Sequence, residues 1–336
     1  MTNPIFFVKS IGCGILCMAL LTGCVSQENL KQGQEKAEEE QGNFENGIFL
    51  DEEFLYKDFR AEEFVEAETE AGILPEVWEE PMAEPEIIEA DWSEYFDGFN
   101  GAAVIYDVSA LRLHIYNRAL AETRRSPCST FKIISSLIAL ENGVIDLEDS
   151  TRKWSGEVFW NEKWNKDIDF SGAFRESCVW YFREIIDEIG PELMQEELNR
   201  LSYGNCDISD WEGRLNTNNN NRALTGFWLE SSLGISPKEQ TEVMERIFGE
   251  ASVYSEAVRE ELKKVMLVEG RTESEISVYG KTGMGKLDGI TVDAWFAGFA
   301  ENAGRSVYFC VYLGRTDGKN ATSTAAKEIA IRLLTD

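Results

Sequence analysis

Histidine is nearly absent: His114 is the single one in 336 residues. A hydrolase that uses histidine as its base has only this residue to draw on. It sits in Leu113-His-Ile-Tyr116, where alternation with apolar neighbours marks a half-exposed strand position. Zinc is disfavoured on the same ground. Beyond residue 24 the cysteines are Cys128, Cys178, Cys206 and Cys310; their spacing matches no zinc pattern, and one histidine cannot complete a site. Basic residues are also scarce, 32 Lys and Arg against 61 Asp and Glu, for a net charge of −29. That balance argues against nucleic acid as a partner, since phosphate contacts need Lys and Arg patches. No apolar run is long enough to span a bilayer as a stable helix.

The chain begins with Lys9 ahead of a short apolar stretch from Ile11 to Leu21, the pattern of a targeting segment. Leu21-Thr-Gly-Cys24 resembles a bacterial lipobox. Cys24 is then expected to be the lipidated first residue of an exported chain, anchored to the outer face of the cytoplasmic membrane rather than spanning it, with release of a soluble form as a variant of that fate. An ordinary secretory signal with an incidental cysteine is the plainer alternative. Residues 25–90 hold about twenty carboxylates against four Lys or Arg, a composition that resists compact folding. We expect an acidic tether there, although Phe54, Leu55, Phe59, Phe64 and Trp78 leave room for short docking helices.

Residues 91–336 suffice for one large domain. Strand-like runs at 102–107 and 112–117 lead into a helix over 129–141, apolar on nearly every side and therefore interior. The stretch 150–265 reads as helical and loop-rich, with helices near 175–189, 191–202, 236–248 and 254–268. Strands follow at 276–282, 294–300 and 306–313, then an amphipathic helix at 322–334. The expected fold is α+β: an antiparallel sheet built from both chain ends, flanked by helices, with an inserted helical lobe. A cleft between sheet and lobe is the expected place for a site.

Ser129-Thr-Phe-Lys132 opens the interior helix. Residues three apart share a helix face, so the lysine amine lies beside the serine hydroxyl. The free N–H groups and dipole of the first turn favour a developing alkoxide. Lysine becomes a base for serine only if burial lowers its pKa, and Phe131, Ile133 and Ile134 are suitable neighbours. Far downstream, Lys281-Thr-Gly283 ends a strand before Met284. A cation and a hydroxyl beside a glycine suit a close-approaching anionic substrate. Both motifs in this order belong to the signature of penicillin-binding proteins and class A β-lactamases.

From Trp92 onward the chain resembles the class D (oxacillinase-type) β-lactamases, in a lipoprotein form known from Gram-positive bacteria. The further motifs that carry the resemblance are Ser177-Cys178-Val179, Tyr203-Gly204-Asn205, Phe227-Trp228-Leu229-Glu230 with Ile235-Ser236-Pro237, and Asp293-Ala-Trp295 with Phe296-Ala-Gly298. The resemblance implies a β-lactamase/transpeptidase-like fold and β-lactam hydrolysis through a Ser129 acyl-enzyme. It implies that Lys132 carries a CO2-derived carbamate (N6-carboxylysine) as general base, shielded by Val179 and hydrogen-bonded by Trp228. Ser177 is implied as proton relay. Tyr203, Lys281, Thr282, Gly283 and Met284 are implied at the substrate, with the backbone N–H groups of Ser129 and Met284 as oxyanion hole. CO2 or bicarbonate is the implied cofactor, with no metal.

One departure stands out. Many class D enzymes carry an arginine near the start of the last helix, whereas Ala321-Thr-Ser-Thr-Ala-Ala326 has none; Arg315, Lys327, or Lys281 with Thr282 are the substitutes to consider. Two other readings remain: a β-lactam sensor that acylates without turnover, and a non-catalytic binding lipoprotein on the same scaffold.

Overall fold

Alternation along the strands decides how the layers form. In β5 (Ile290–Asn302), Ala294, Phe296 and Ala300 pack with Ala326, Ile329 and Ala330 of the last helix, while Phe299 joins the core of the helical lobe on the opposite face. In β6 (Arg305–Gly314), Phe309, Val311 and Leu313 make the same choice, and Tyr308 the opposite one. A period of two with both faces covered is what a central strand between two layers requires.

The computed structural model describes residues 84–215, 220–268 and 276–335. The targeting segment with Cys24, and the tether residues Phe54, Leu55, Phe59, Phe64 and Trp78, lie outside these residues. In chain order the elements are β1 (Glu86–Glu89), α1 (Ser93–Phe96), β2 (Gly101–Asp107), β3 (Arg112–Tyr116), α2 (Arg118–Ala121), a 3-10 turn (Cys128–Phe131), α3 (Lys132–Glu141), α4 (Phe170–Arg175), α5 (Val179–Ile189) and α6 (Pro191–Leu201). There follow α7 (Pro237–Phe248), α8 (Glu256–Met266), β4 (Ser277–Leu287), β5, β6 and α9 (Ser323–Thr335). The sheet order is β1-β3-β2-β6-β5-β4, so the two chain ends do build one sheet. Among the described residues, no helix is long and apolar enough to cross a membrane.

Two expectations change. Glu86–Glu89 falls inside the span assigned to the tether, yet it pairs with β3, in register from Glu86 opposite Arg112 to Glu89 opposite Ile115. The pairing is parallel, which makes the sheet mixed rather than purely antiparallel. Flanking carboxylates hide this strand from a reading by composition, whereas strand addition depends on backbone groups: Glu86 N–H donates to Leu111 O at 2.8 Å and Ala90 N–H to Ile115 O at 2.9 Å. The helix expected over 175–189 is in fact two. After α4, Ser177 turns to φ +53°, and Cys178 N–H donates to Ala173 O at 2.8 Å. A left-handed residue closing a helix C-terminus in this way ends α4 and lets α5 start afresh at Val179.

Helix α3 is buried from Lys132 through Ala139, the all-round burial that its composition implies. Against it pack α5, with Phe182 and Ile186 buried, and α8, with Leu262 and Met266 buried. Helix α7 is well started: Ser236 Oγ accepts from Glu239 N, the Glu239 carboxylate accepts from Ser236 N at 2.9 Å, and Pro237 fills the first helical position. This reciprocal capping box satisfies two donors that the helix leaves open. Ser236→Ala is expected to cost about 1 kcal/mol of unfolding free energy, read as a lowered urea midpoint with an unchanged m-value.

Candidate active site

The 3-10 turn Cys128–Phe131 presents Ser129 at the mouth of α3. Cys128, directly before it, takes φ +50°. The turn is braced by Thr130 Oγ1 donating to Pro127 O at 2.7 Å and by Gln240 Nε2 donating to Thr130 Oγ1 at 2.8 Å. Lys132 begins α3, and its Nζ lies 3.2 Å from Ser129 Oγ. The side chain is 1% exposed, with Nζ 5.2 Å from the centre of the Phe182 ring. Among the described residues, it makes no ion pair. Burial brings its pKa down from 10.5 to about 8, because an ammonium in an apolar pocket loses its hydration. A neutral amine at this distance can accept the serine proton, the geometry of a base on its nucleophile.

A second buried cation faces the first. Lys281 of β4 is 5% exposed, its Nζ bonded to Ser177 Oγ and to Thr282 O, the latter at 3.2 Å. Desolvation, then repulsion by Lys132, lowers its pKa to about 7. Ser177 therefore joins the lobe to the sheet, and its left-handed backbone is what aims the hydroxyl. Strand β4 can run against the nucleophile turn because of Gly283: a Cβ there would lie 3.0 Å from Pro127 O and 3.2 Å from Thr130 N. Between lobe and sheet lies a cleft of about 510 Å³ lined by Ser129, Ser177, Val179, Thr282, Gly283 and Met284. Six of the residues singled out by sequence thus share one cavity, with Lys132 and Lys281 buried behind two of its serines.

Trp228 and Tyr203 are fully buried and are not part of the cleft lining. The Trp228 ring stacks on Phe131 at 6.1 Å, and its Nε1–H is buried without a hydrogen-bond partner among the described residues. Tyr203 packs edge-on against Phe131 at 5.5 Å. Its expected place at the substrate is corrected: it lies behind the nucleophile turn, in the core. The Tyr203-Gly204-Asn205 segment instead braces the loop after Trp228. Asn205 N–H donates to Gly234 O, and Gly234 N–H to Asn205 Oδ1, both at 2.9 Å. Gly204 takes φ +56°, and a Cβ on it would fall 2.0 Å from Gly234 O.

Of the substitutes considered for the missing arginine, only Lys281 with Thr282 reaches the cleft, through Thr282. Neither Arg315 nor Lys327 lines it; Lys286 of β4 and Ser323 at the start of α9 do. Sequence reasoning missed Lys286, along with Glu230, whose carboxylate accepts from Lys286 N–H at 2.7 Å across the cleft wall. Trp160 was also missed. It is 75% exposed and lines the lobe side, its ring 5.0 Å from Trp164. Only the approach of separate loops reveals these residues; the Leu287–Ile290 hairpin beyond Lys-Thr-Gly was the one local hint.

Residues 97–335 match the model described as the penicillin binding protein transpeptidase domain. The chain belongs to this family. Within it, the chain is 32% identical over 240 residues to a probable beta-lactamase, YbxI, of Bacillus subtilis, covering 71% of this chain and 81% of that one. It is 31% identical over 246 residues to the regulatory protein BlaR1 of Bacillus licheniformis, covering 73% of this chain but only 38% of the regulator's length. Among solved structures, a class D beta-lactamase from Bacillus subtilis matches with TM-score 0.62 and 31% identity, covering 73% of this chain and 94% of that one. The C-terminal domain of the Bacillus licheniformis BlaR penicillin-receptor matches with TM-score 0.65 and 28% identity, covering 75% and 97%. The relatives are thus of two kinds, β-lactamases and a regulatory protein whose C-terminal domain is described as a penicillin-receptor.

Two outcomes follow from the geometry. Gly204→Ala is expected to destabilise by about 2 kcal/mol or more, since it adds left-handed strain to a steric overlap with backbone; thermal unfolding of the purified variant measures this. Arg315→Ala is expected to leave KM for a penicillin unchanged, because the side chain stands away from the cleft.

Proposed function

We propose that the domain hydrolyses β-lactam antibiotics through an acyl-ester on Ser129. The observation that carries this reading is the Ser129–Lys132 contact of 3.2 Å, made by an amine that is almost wholly buried and, among the described residues, unpaired with any acid. Ser129 Oγ attacks the lactam carbonyl, the C–N bond of the ring breaks, and the ring nitrogen takes a proton. Ser177, bonded to Lys281, is placed to deliver that proton. Thr282, with Lys281 behind it, orients the substrate carboxylate, and the backbone N–H groups of Ser129 and Met284 serve the oxyanion. Water then cleaves the ester and frees Ser129.

The residues around Lys132 fit a carbamate. A desolvated amine with a pKa near 8 is neutral often enough to react with CO2. The buried, unpartnered Trp228 Nε1–H is a donor in want of an anion, and an unmet buried donor costs about 1–3 kcal/mol. Carboxylated Lys132 supplies an oxygen base for acylation and for the deacylating water. Val179, on the cleft wall, limits the access of bulk water to it. We also propose export, with a lipid anchor at Cys24; the Leu21–Cys24 motif and its apolar lead support this.

A second reading has one finding in its favour. The match to a regulatory protein is as good in identity as that to the β-lactamases, so a domain that acylates and stalls is the rival. Turnover separates them: many equivalents of a chromogenic cephalosporin hydrolysed per protein is expected here, and a single stoichiometric burst contradicts hydrolysis. Ser129→Ala is expected to abolish both labelling by a fluorescent penicillin and turnover.

The pH dependence has a definite sign. Because burial lowers the Lys132 pKa, the neutral amine grows as pH rises through about 8 and is lost below it. Activity is therefore expected to fall at mildly acidic pH and to recover when bicarbonate is added. A fall that bicarbonate does not reverse overturns the carbamate while leaving Ser129 as nucleophile.

A further inference from the structure

Ser126, three residues before the nucleophile, belongs to none of the motifs, yet it ties three segments together. Its Oγ donates to Trp228 O at 2.9 Å and accepts from Glu230 N–H at 2.8 Å. Its carbonyl accepts Nε1–H of Trp295, on β5, at 3.0 Å. Two residues on, Cys128 N–H donates to the same Trp228 carbonyl at 3.1 Å. The Trp228 backbone is thus held from two points on the strap that leads into Ser129. Through Glu230 the same knot reaches the end of β4, where Lys286 N–H is the donor.

Left-handed backbone borders this knot on both sides, at Cys128 (φ +50°) and Glu230 (φ +53°). Neither is glycine, and such conformations persist only where the surroundings over-determine them. The Ser126 hydroxyl is one of the restraints that does so. Ser126 does not touch the Lys132 amine, and it is absent from the cleft lining. Its influence can reach the chemistry only through the residues it holds.

We propose that Ser126 is a positioning residue. It holds the Trp228 segment in register with the Ser129 turn, so that the indole N–H is presented to carboxylated Lys132. This rests on the carbamate reading above. Without the hydroxyl, Glu230 N–H loses its acceptor and Trp228 O keeps one donor of two. The indole is then less firmly aimed and holds CO2 on Lys132 less well, while Ser129 and the Lys281–Ser177 pair are untouched.

The test compares the full chain with Ser126→Ala and Ser126→Thr, measuring hydrolysis of a penicillin against bicarbonate concentration, together with thermal unfolding. For Ser126→Ala the bicarbonate concentration giving half-maximal rate is expected to rise about fivefold to tenfold, the scale of one weakened hydrogen bond. KM for the penicillin at saturating bicarbonate is expected to stay within about twofold, and Ser126→Thr, which keeps the hydroxyl, to behave as wild type. An unchanged half-saturation in Ser126→Ala overturns the assignment. So does a loss of activity that no bicarbonate restores, which is the mark of a merely structural role. If the wild type turns over with no response to bicarbonate at any pH, the carbamate reading itself fails and the role of Ser126 falls with it.

Discussion

Everything at this site depends on burying an amine without an acid to pair with it. Lys132 lies inside a helix whose other faces are isoleucine, leucine and alanine, and it meets Ser129 and the Phe182 ring rather than a carboxylate. Taking an ammonium out of water in this way costs a few kcal/mol, the equivalent of bringing its pKa from 10.5 to about 8. An aspartate nearby would remove the penalty and also the chemistry, because a paired lysine stays protonated. The surrounding fold supplies what the unpaired lysine cannot: an interior helix, a lobe that closes over it, and a strand edge that approaches Ser129 through Gly283.

The same desolvation links the two lysines. Lys281 is lowered by burial and again by the charge of Lys132, so the pair cannot comfortably carry two protons. In the proposed reaction, the proton leaving Ser129 and the one arriving at the lactam nitrogen would pass through these neighbouring groups. Ser177 is the bridge, and its left-handed backbone sets the end of α4 against the start of α5. Cys128 and Glu230 show the same unusual backbone close by. At these three positions the backbone holds side chains in loops that no regular element could aim.

Much of this was legible in the sequence because the motifs are local. Ser129 and Lys132 are one helical turn apart, Lys281 to Met284 lie along one strand, and all-round hydrophobicity announced a buried α3. The parts that were not legible depend on contacts between distant segments. Glu86–Glu89 reads as more acidic tether until its backbone finds β3. Tyr203 sits in a recognisable triplet, but only packing shows that the triplet braces the Trp228 loop from behind. Lys286 and Ser126 belong to no motif and Glu230 only closes the Phe227–Glu230 one, since their roles come from hydrogen bonds between segments 56 to 169 residues apart in the chain.

The central claim is that Lys132 is neutral enough in its pocket to hold CO2 beside Ser129. Carbon-13 NMR of the protein equilibrated with labelled bicarbonate above pH 8 observes that group directly. The account predicts one carbamate carbonyl resonance that disappears in Lys132→Ala and on acidification of the wild type. A folded protein that is acylated at Ser129 and yet shows no such resonance would contradict it.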